Sequence, residues 1–195
     1  MEIAENAALV VVDVQKGFEE TGFWGPRNNP GADDRIASLI DVWQVTGRPV
    51  VYVRHDSVTP QSPLRPGCAG NAFKEYVERR RGKGGEGAEL LVTKTVNSAF
   101  YGTPDLGAWL EAQGIAQLVV VGIQTNMCVE TTARMGGNLG YDVVVPLDAT
   151  YTFDLAGPFG WRRSAEELAQ AAAVSLHGGG FARVVRTEEV VGAAG

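Results

Sequence analysis

The amino-acid sequence predicts a three-layer α/β/α domain in which helices cover both faces of a six-stranded, mainly parallel sheet. Short apolar runs rich in valine recur along the chain. Because these runs are nearly continuous rather than alternating, each is typical of a strand buried on both faces. Amphipathic segments separate most of them, which favours right-handed strand-helix-strand crossovers. The length of 195 residues suits one such domain, spanning residues 1–195.

The predicted strands follow one another along the chain at residues 7–12, 50–53, 90–92, 118–121, 143–145 and 182–185. A helix is predicted over residues 33–44, where apolar side chains recur at helical spacing. A second is predicted around Leu106–Leu110 and ends before Gly114. Two more are predicted over residues 127–139 and 164–176, the latter opened by a Ser164–Glu167 capping box.

Composition excludes several classes of function. With 17 basic and 23 acidic side chains the net charge is −6, which offers no broad footprint for nucleic acid, and no apolar run has the length of a membrane span. The two cysteines lie far apart and no apolar leader precedes the first strand, so we expect a cytoplasmic protein without disulfides. Two histidines are too few for an ordinary zinc site, so no metal is predicted.

The candidate reactive residues follow the predicted strands. Ligands of open α/β sheets bind beyond the carboxyl ends of the strands. Asp13 follows the first strand, Lys94 follows the third, and Cys128 comes shortly after the fourth. No glycine-rich dinucleotide or phosphate loop accompanies the strands, so no cofactor is predicted.

Cys128 is the candidate nucleophile because it is placed near the start of a predicted helix. Thr125 or Asn126 would cap that helix, whose positive end would lower the thiol pKa and hold a developing oxyanion. The alternative is a structural cysteine, since cysteine is among the residue types most often buried.

The candidate bases are Asp13 and His55, each at the carboxyl end of a strand, and Asp13 is the better placed. An aspartate between Val12 and Val14 is partly desolvated, so it needs a nearby cation. Lys94 can supply that charge and stabilise the reacting oxygen. The alternative is a buried salt bridge that only orders the edge of the sheet.

Four ordered motifs carry a family resemblance over nearly the whole chain. They are LVVVDVQKGF at 9–18, KTVNSAF at 94–100, GIQTNMCVETTAR at 122–134 and GYDVVVPLDA at 140–149. With them the chain resembles the isochorismatase-like cysteine hydrolases, a superfamily that includes nicotinamidases and N-carbamoylsarcosine amidases. The resemblance implies a triad of Asp13, Lys94 and Cys128. It also implies a cis peptide between Ile123 and Gln124, with the N–H groups of Gln124 and Cys128 as the oxyanion hole.

The resemblance further implies hydrolysis of a small-molecule amide through a thioester on Cys128, and a homo-oligomer, either dimer or tetramer, that packs around its active sites. Two alternatives stay open: a vinyl-ether hydrolase of the isochorismatase type, and a non-catalytic thiol redox or binding module. Family nicotinamidases carry an Asp-x-His metal motif after the second strand, whereas this chain has YVRHDS at 52–57. A bound metal and a nicotinamide substrate are therefore not expected.

The predicted substrate pocket draws on side chains in loops near the ends of these motifs. Most are aromatic, and a loop aromatic is harder to explain as a core residue. The predicted pocket residues are Phe18, Trp24, His55, Asn97, Phe100, Tyr101, Tyr151, Phe153 and Trp161.

Overall fold

The computed structural model describes residues 1–195, and its strands confirm the predicted sheet. The strands are β1 (Ala8–Val12), β2 (Val50–His55), β3 (Glu89–Lys94), β4 (Gln117–Ile123), β5 (Asp142–Pro146), β6 (Thr150–Tyr151), β7 (Leu155–Ala156), β8 (Arg162–Arg163) and β9 (Arg183–Val185). Six of them match the predicted runs to within about two residues at each end, and the short strands β6, β7 and β8 were not predicted.

The helices occupy the segments between the long strands and the segment after β9. They are α1 (Thr21–Trp24), α2 (Ala32–Val45), α3 (Glu75–Glu78), α4 (Leu106–Ala112), α5 (Glu130–Asn138), α6 (Ala165–Gly178) and α7 (Thr187–Ala194). No helix combines the length and the apolar character that a membrane crossing requires.

The main sheet has the strand order β3-β2-β1-β4-β5-β9, and all of these neighbours are parallel. The central strand β1 is flanked by β2 and β4, and β6 adds a short parallel pairing at the end of β4. The chain reverses its direction of winding at β1, so the carboxyl ends of β1 and β4 border the crevice where ligands bind in such sheets. Strands β7 and β8 form a separate antiparallel hairpin.

Two hydrophobic cores lie on opposite faces of the sheet. Alternate residues of β1 enter different cores: Leu9 and Val11 face the side covered by α2 and α7, whereas Val10 and Val12 face the side covered by α4, α5 and α6. Every residue of β1 is buried for this reason. This explains why the strand sequences are continuous apolar runs without polar alternation.

One predicted helix differs from the structure at its start, and another begins as predicted. The helix expected over residues 127–139 begins instead as a π-helical turn, Thr125–Val129, and only then continues as α5. By contrast, the predicted capping box is present, since Ser164 accepts a hydrogen bond from the Glu167 backbone N–H and the Glu167 side chain bonds back to the Ser164 N–H. That box begins α6 as expected.

Candidate active site

Four polar side chains meet at the carboxyl edge of the sheet because their strands end side by side. Asp13 directly follows β1, and His55 and Lys94 are the last residues of β2 and β3, where they lie opposite each other in the register. Cys128 follows β4. The structure thus brings together Asp13, Lys94, Cys128 and His55, which the sequence placed at separate strand ends.

Asp13 and Lys94 form a fully buried ion pair. The Lys94 Nζ lies 2.6 Å from Asp13 Oδ2, and both side chains have 0% exposure. Asp13 has a φ of 52°, in the left-handed region that few non-glycine residues adopt. Backbone strain of this kind is concentrated at functional sites.

Cys128 lies close to the carboxylate of this pair. Asp13 Oδ1 is buried and has no hydrogen-bond partner, so its lone pairs are available to a proton donor. The Cys128 sulfur, an Asp13 carboxylate oxygen and a His55 ring nitrogen lie within 4.8 Å of one another. The thiol also points to Asn97 Oδ1 at 3.7 Å, so the predicted pocket residue Asn97 does contact the site.

The electrostatics of the site keep the thiol protonated at rest. Burial raises the pKa of the Cys128 thiol well above its usual value, and the Asp13 carboxylate raises it further, although Lys94 opposes both effects. The expectation of a lowered thiol pKa is therefore wrong. Burial disfavours the charge on Lys94, but Asp13 and Cys128 outweigh burial and raise the pKa of the ammonium.

The expected caps of the cysteine turn are also wrong. Neither Thr125 nor Asn126 caps the turn: the Thr125 hydroxyl donates to Thr150 Oγ1, and Asn126 pairs closely with the Thr152 hydroxyl. The Gln124 carbonyl instead accepts the backbone N–H groups of Met127 and Val129, at 3.1 and 3.2 Å, and so closes the turn. The Ile123–Gln124 peptide is cis.

The His55 side chain contacts Lys94 of the buried ion pair directly, which its position in the sequence did not predict. Its Nδ1 lies 3.2 Å from Lys94 Nζ. The His55 backbone N–H donates to Gln15 Oε1 at 2.8 Å, and its carbonyl accepts from Gln15 Nε2 at 3.0 Å. Sequence reasoning missed Gln15, although a glutamine two residues after Asp13, next to an apolar run, is a signal of a buried hydrogen-bonding role.

Three of the predicted pocket aromatics lie in the hydrophobic core. Tyr151 and Phe153 lie in the core at 0% and 2% exposure, so the argument that loop aromatics are poor core candidates is wrong for both. Phe18, at 5% exposure, is also a core residue; it packs against Trp24 and Phe153 with ring centroids 4.9 and 6.1 Å away.

The remaining predicted aromatics lie elsewhere. Phe100 stacks on Tyr141 at 5.7 Å, and both rings are partly buried against the core beneath α5. Tyr101 and Trp161 are exposed by 70% and 60%, and the Trp161 ring contacts the ring of exposed Phe159 at the tip of the β7–β8 hairpin.

The residues that could hold a metal ion here are Asp13, His55 and Cys128, whose ligand atoms are close enough together. The Lys94 ammonium contacts both Asp13 and His55, so a divalent cation would have to displace a tethered positive charge. Asp56, next in the chain, is engaged by Arg54 at 2.9 Å and by Asn71 at 3.0 Å. These residues do not fit a resident metal.

Comparison with known proteins agrees with this architecture. The family described as the isochorismatase domain matches residues 7–188. The isochorismatase-family protein YrdC of Bacillus subtilis is 36% identical over 187 residues, covering 96% of this chain and 95% of YrdC. Nicotinamidase 3 of Arabidopsis thaliana is 31% identical, over 94% of this chain and 86% of its own length.

A solved structure of an isochorismatase-family protein from Chromobacterium violaceum superposes on the whole fold. Its TM-score is 0.90 and its sequence identity 39%, over 100% of this chain and 96% of that one. The family match covers more than half of the chain, and the relatives cover nearly its full length. The chain belongs to the isochorismatase family.

Proposed function

We propose that the chain is a cysteine-dependent hydrolase that cleaves a small-molecule amide, a C–N bond other than a peptide bond, through a thioester on Cys128. The observation that carries this proposal is the buried Asp13 carboxylate close to the thiol. Lys94 holds Oδ2, Oδ1 has no hydrogen-bond partner, and a carboxylate oxygen lies within 4.8 Å of the Cys128 sulfur. The likeness to a nicotinamidase supports the amide class.

In the first half of the proposed reaction, Asp13 takes the thiol proton while the sulfur forms a bond to the substrate carbonyl carbon. The raised pKa of Cys128 means that this transfer accompanies attack and does not precede it. The backbone N–H groups of Gln124 and Cys128 stabilise the oxyanion. As the C–N bond breaks, Asp13 returns the proton to the departing amine, and a thioester remains.

In the second half, water attacks the thioester and gives its proton to Asp13. The carbon–sulfur bond breaks, the sulfur recovers the proton from Asp13, and the carboxylic acid leaves. Lys94 keeps a positive charge beside Asp13 in each step, so the carboxylate is never a lone buried anion. The cycle consumes one water and leaves the enzyme unchanged.

A thiol redox sensor is less well supported by this geometry. Oxidation of cysteine follows thiolate character and exposure. Cys128 is only 8% exposed and its pKa is raised, so both properties oppose rapid oxidation.

The test replaces Cys128 by alanine and by serine and measures turnover of a panel of small primary amides and ureido compounds. We expect both variants to lose at least about 10³-fold in kcat, because the nucleophile is lost while binding persists. Acid quenching of the wild-type reaction leaves an acyl adduct on the Cys128 peptide, detected by its mass.

The matched control is Cys68→Ser, which removes the other, partly exposed free cysteine and should retain full turnover. Undiminished turnover in Cys128→Ala would overturn the assignment. Turnover of a vinyl ether without any adduct on Cys128 would instead favour the isochorismatase-type reaction.

A further inference from the structure

The His55 ring contacts the buried ion pair formed by Asp13 and Lys94. Nδ1 lies 3.2 Å from Lys94 Nζ, which is itself 2.6 Å from Asp13 Oδ2. An ammonium group has donors and no acceptor, so Nδ1 must be the acceptor in this contact. The ring is therefore neutral, with its proton on Nε2.

The backbone of His55 is held where this contact requires it. Gln15 binds both the N–H and the carbonyl of His55, and its Nε2 also donates to the Asn71 carbonyl at 2.9 Å. Asn71 Nδ2 in turn donates to the His55 carbonyl at 3.2 Å. Because Gln15 follows Asp13 by two residues, the same short segment fixes both the carboxylate and the histidine.

We propose that His55 is a positioning residue that accepts a hydrogen bond from Lys94 and so fixes the ammonium against Asp13 and Cys128. This inference rests on the proposed function, in which that ammonium compensates Asp13. The Lys94 ammonium carries three protons and its side chain has 0% exposure, so its protons need acceptors within the protein. Asp13 accepts one, and His55 accepts another.

The charge state of the ring agrees with this role. Burial lowers the pKa of His55, and the positive charge of Lys94 lowers it further, which together outweigh the raising effects of Asp13 and Asp56. The Cys128 thiol is a further titratable group close to the His55 ring. The neutral acceptor form therefore prevails at neutral pH.

The experiment compares His55→Asn with His55→Leu, both in a Cys68→Ser background so that Cys128 is the only thiol. Asparagine carries an oxygen near the position of Nδ1, whereas leucine has similar bulk and no acceptor. The first readout is the rate at which iodoacetamide alkylates Cys128, followed by intact mass, which needs no substrate. The second is kcat and KM separately for an amide that the wild type hydrolyses.

We expect His55→Leu to slow alkylation and to lower kcat by about tenfold or more, the effect of losing one hydrogen bond to a charged group. KM should stay within about twofold, and His55→Asn should stay within about threefold of the wild-type rates. Equal losses in the two variants would overturn the proposal, as would wild-type rates in His55→Leu.

Failure of the proposed function is a separate outcome. If no acyl adduct forms on Cys128 with any substrate, the thioester mechanism fails. The alkylation rates would still show whether His55 controls the environment of the thiol through Lys94.

Discussion

Lys94 and Asp13 carry opposite charges inside the protein, where neither side chain contacts solvent. We predict that Lys94→Met lowers the free energy of unfolding by about 3 kcal/mol or more, because it leaves the Asp13 carboxylate as an uncompensated buried charge. Urea unfolding at neutral pH measures this change, with the slope of the transition checked for two-state behaviour.

The matched control is Lys16→Met, which removes a lysine from an exposed pair with Glu75 whose atoms lie 3.7 Å apart. It should change stability by less than about 1 kcal/mol. The double variant Asp13→Asn/Lys94→Met should regain part of the lost free energy of unfolding, because it has no buried carboxylate left without a compensating charge. A Lys94→Met protein as stable as the wild type would contradict the account of the pair.

At the scale of single residues, the sequence predicted which side chains meet but not how they touch. The predicted strands were enough to predict that Asp13, Lys94 and Cys128 lie close together, because the carboxyl ends of parallel strands meet at one edge of the sheet. The contact between His55 and Lys94 depends on the register of β2 and β3 and on the direction of a strand-end side chain. The raised pKa of the Cys128 thiol depends on its burial, which cannot be inferred from its position near the start of a helix.

At the scale of elements, the approach of β1 to β4 sets the distance between Asp13 and the cysteine turn. Gly122 lies opposite Val12 in this pairing and has a φ of +121°. A Cβ at Gly122 would overlap the Val12 backbone carbonyl. Glycine is therefore required there by conformation and by space together.

We predict that Gly122→Ala lowers the free energy of unfolding by about 3 kcal/mol, because the new methyl group must displace the β1 backbone. Thermal and urea unfolding measure the loss. Gly178→Ala, at the end of α6 with nothing within 4 Å of the added carbon, is the control and should be neutral or stabilising by up to about 1 kcal/mol. Equal stability of the two variants would refute the packing argument.

The elements themselves were predictable to different degrees. Helix α2 was evident from four apolar residues at helical spacing, Ile36, Leu39, Ile40 and Trp43, all of which are buried. The π-helical turn at Thr125–Val129 could not be predicted. It depends on the Gln124 carbonyl accepting two backbone N–H groups, and not on the helix propensity of its residues. Helix α7 was missed because its apolar face is reduced to a few small residues, including Val190 and Ala194.

At the scale of the whole molecule, the parallel sheet and its two helical layers followed from the valine-rich runs, whereas the burial of the loop aromatics did not. Tyr151 lies in the core because β6 pairs with β4, a short contact with no sequence signal of its own. The homo-oligomer and the cytoplasmic location stay predictions.

A second charged cluster ties distant segments together on the α2 side of the sheet. Asp33, at the start of α2, accepts hydrogen bonds from Lys74 at 2.9 and 3.0 Å, from Arg27 at 2.9 Å and from the Tyr76 hydroxyl at 3.0 Å. Lys74 is only 4% exposed. One carboxylate therefore joins α2 to the loop before it and to the segment around α3.

Asp33 should make the whole fold sensitive to acid. Burial alone would raise the pKa of Asp33, but the charge of Lys74 and the hydrogen bonds from Lys74 and Arg27 outweigh burial and lower it. A carboxyl whose pKa is lower in the folded state stabilises the fold fully above its unfolded value of about 3.9, and this contribution is lost as the pH falls through the folded value.

We therefore predict that Asp33→Asn lowers the free energy of unfolding by about 2 kcal/mol at pH 7, where the wild-type carboxylate holds its charged hydrogen bonds. The difference between the two proteins should shrink below about pH 4, as the wild-type carboxyl becomes protonated. Urea unfolding at a series of pH values from neutral to acid measures this convergence. Asp142→Asn, in an exposed pair with Arg183, should cost less than about 1 kcal/mol. A stability difference for Asp33→Asn that stays constant down to acid pH would show that packing, not charge, is what this side chain contributes.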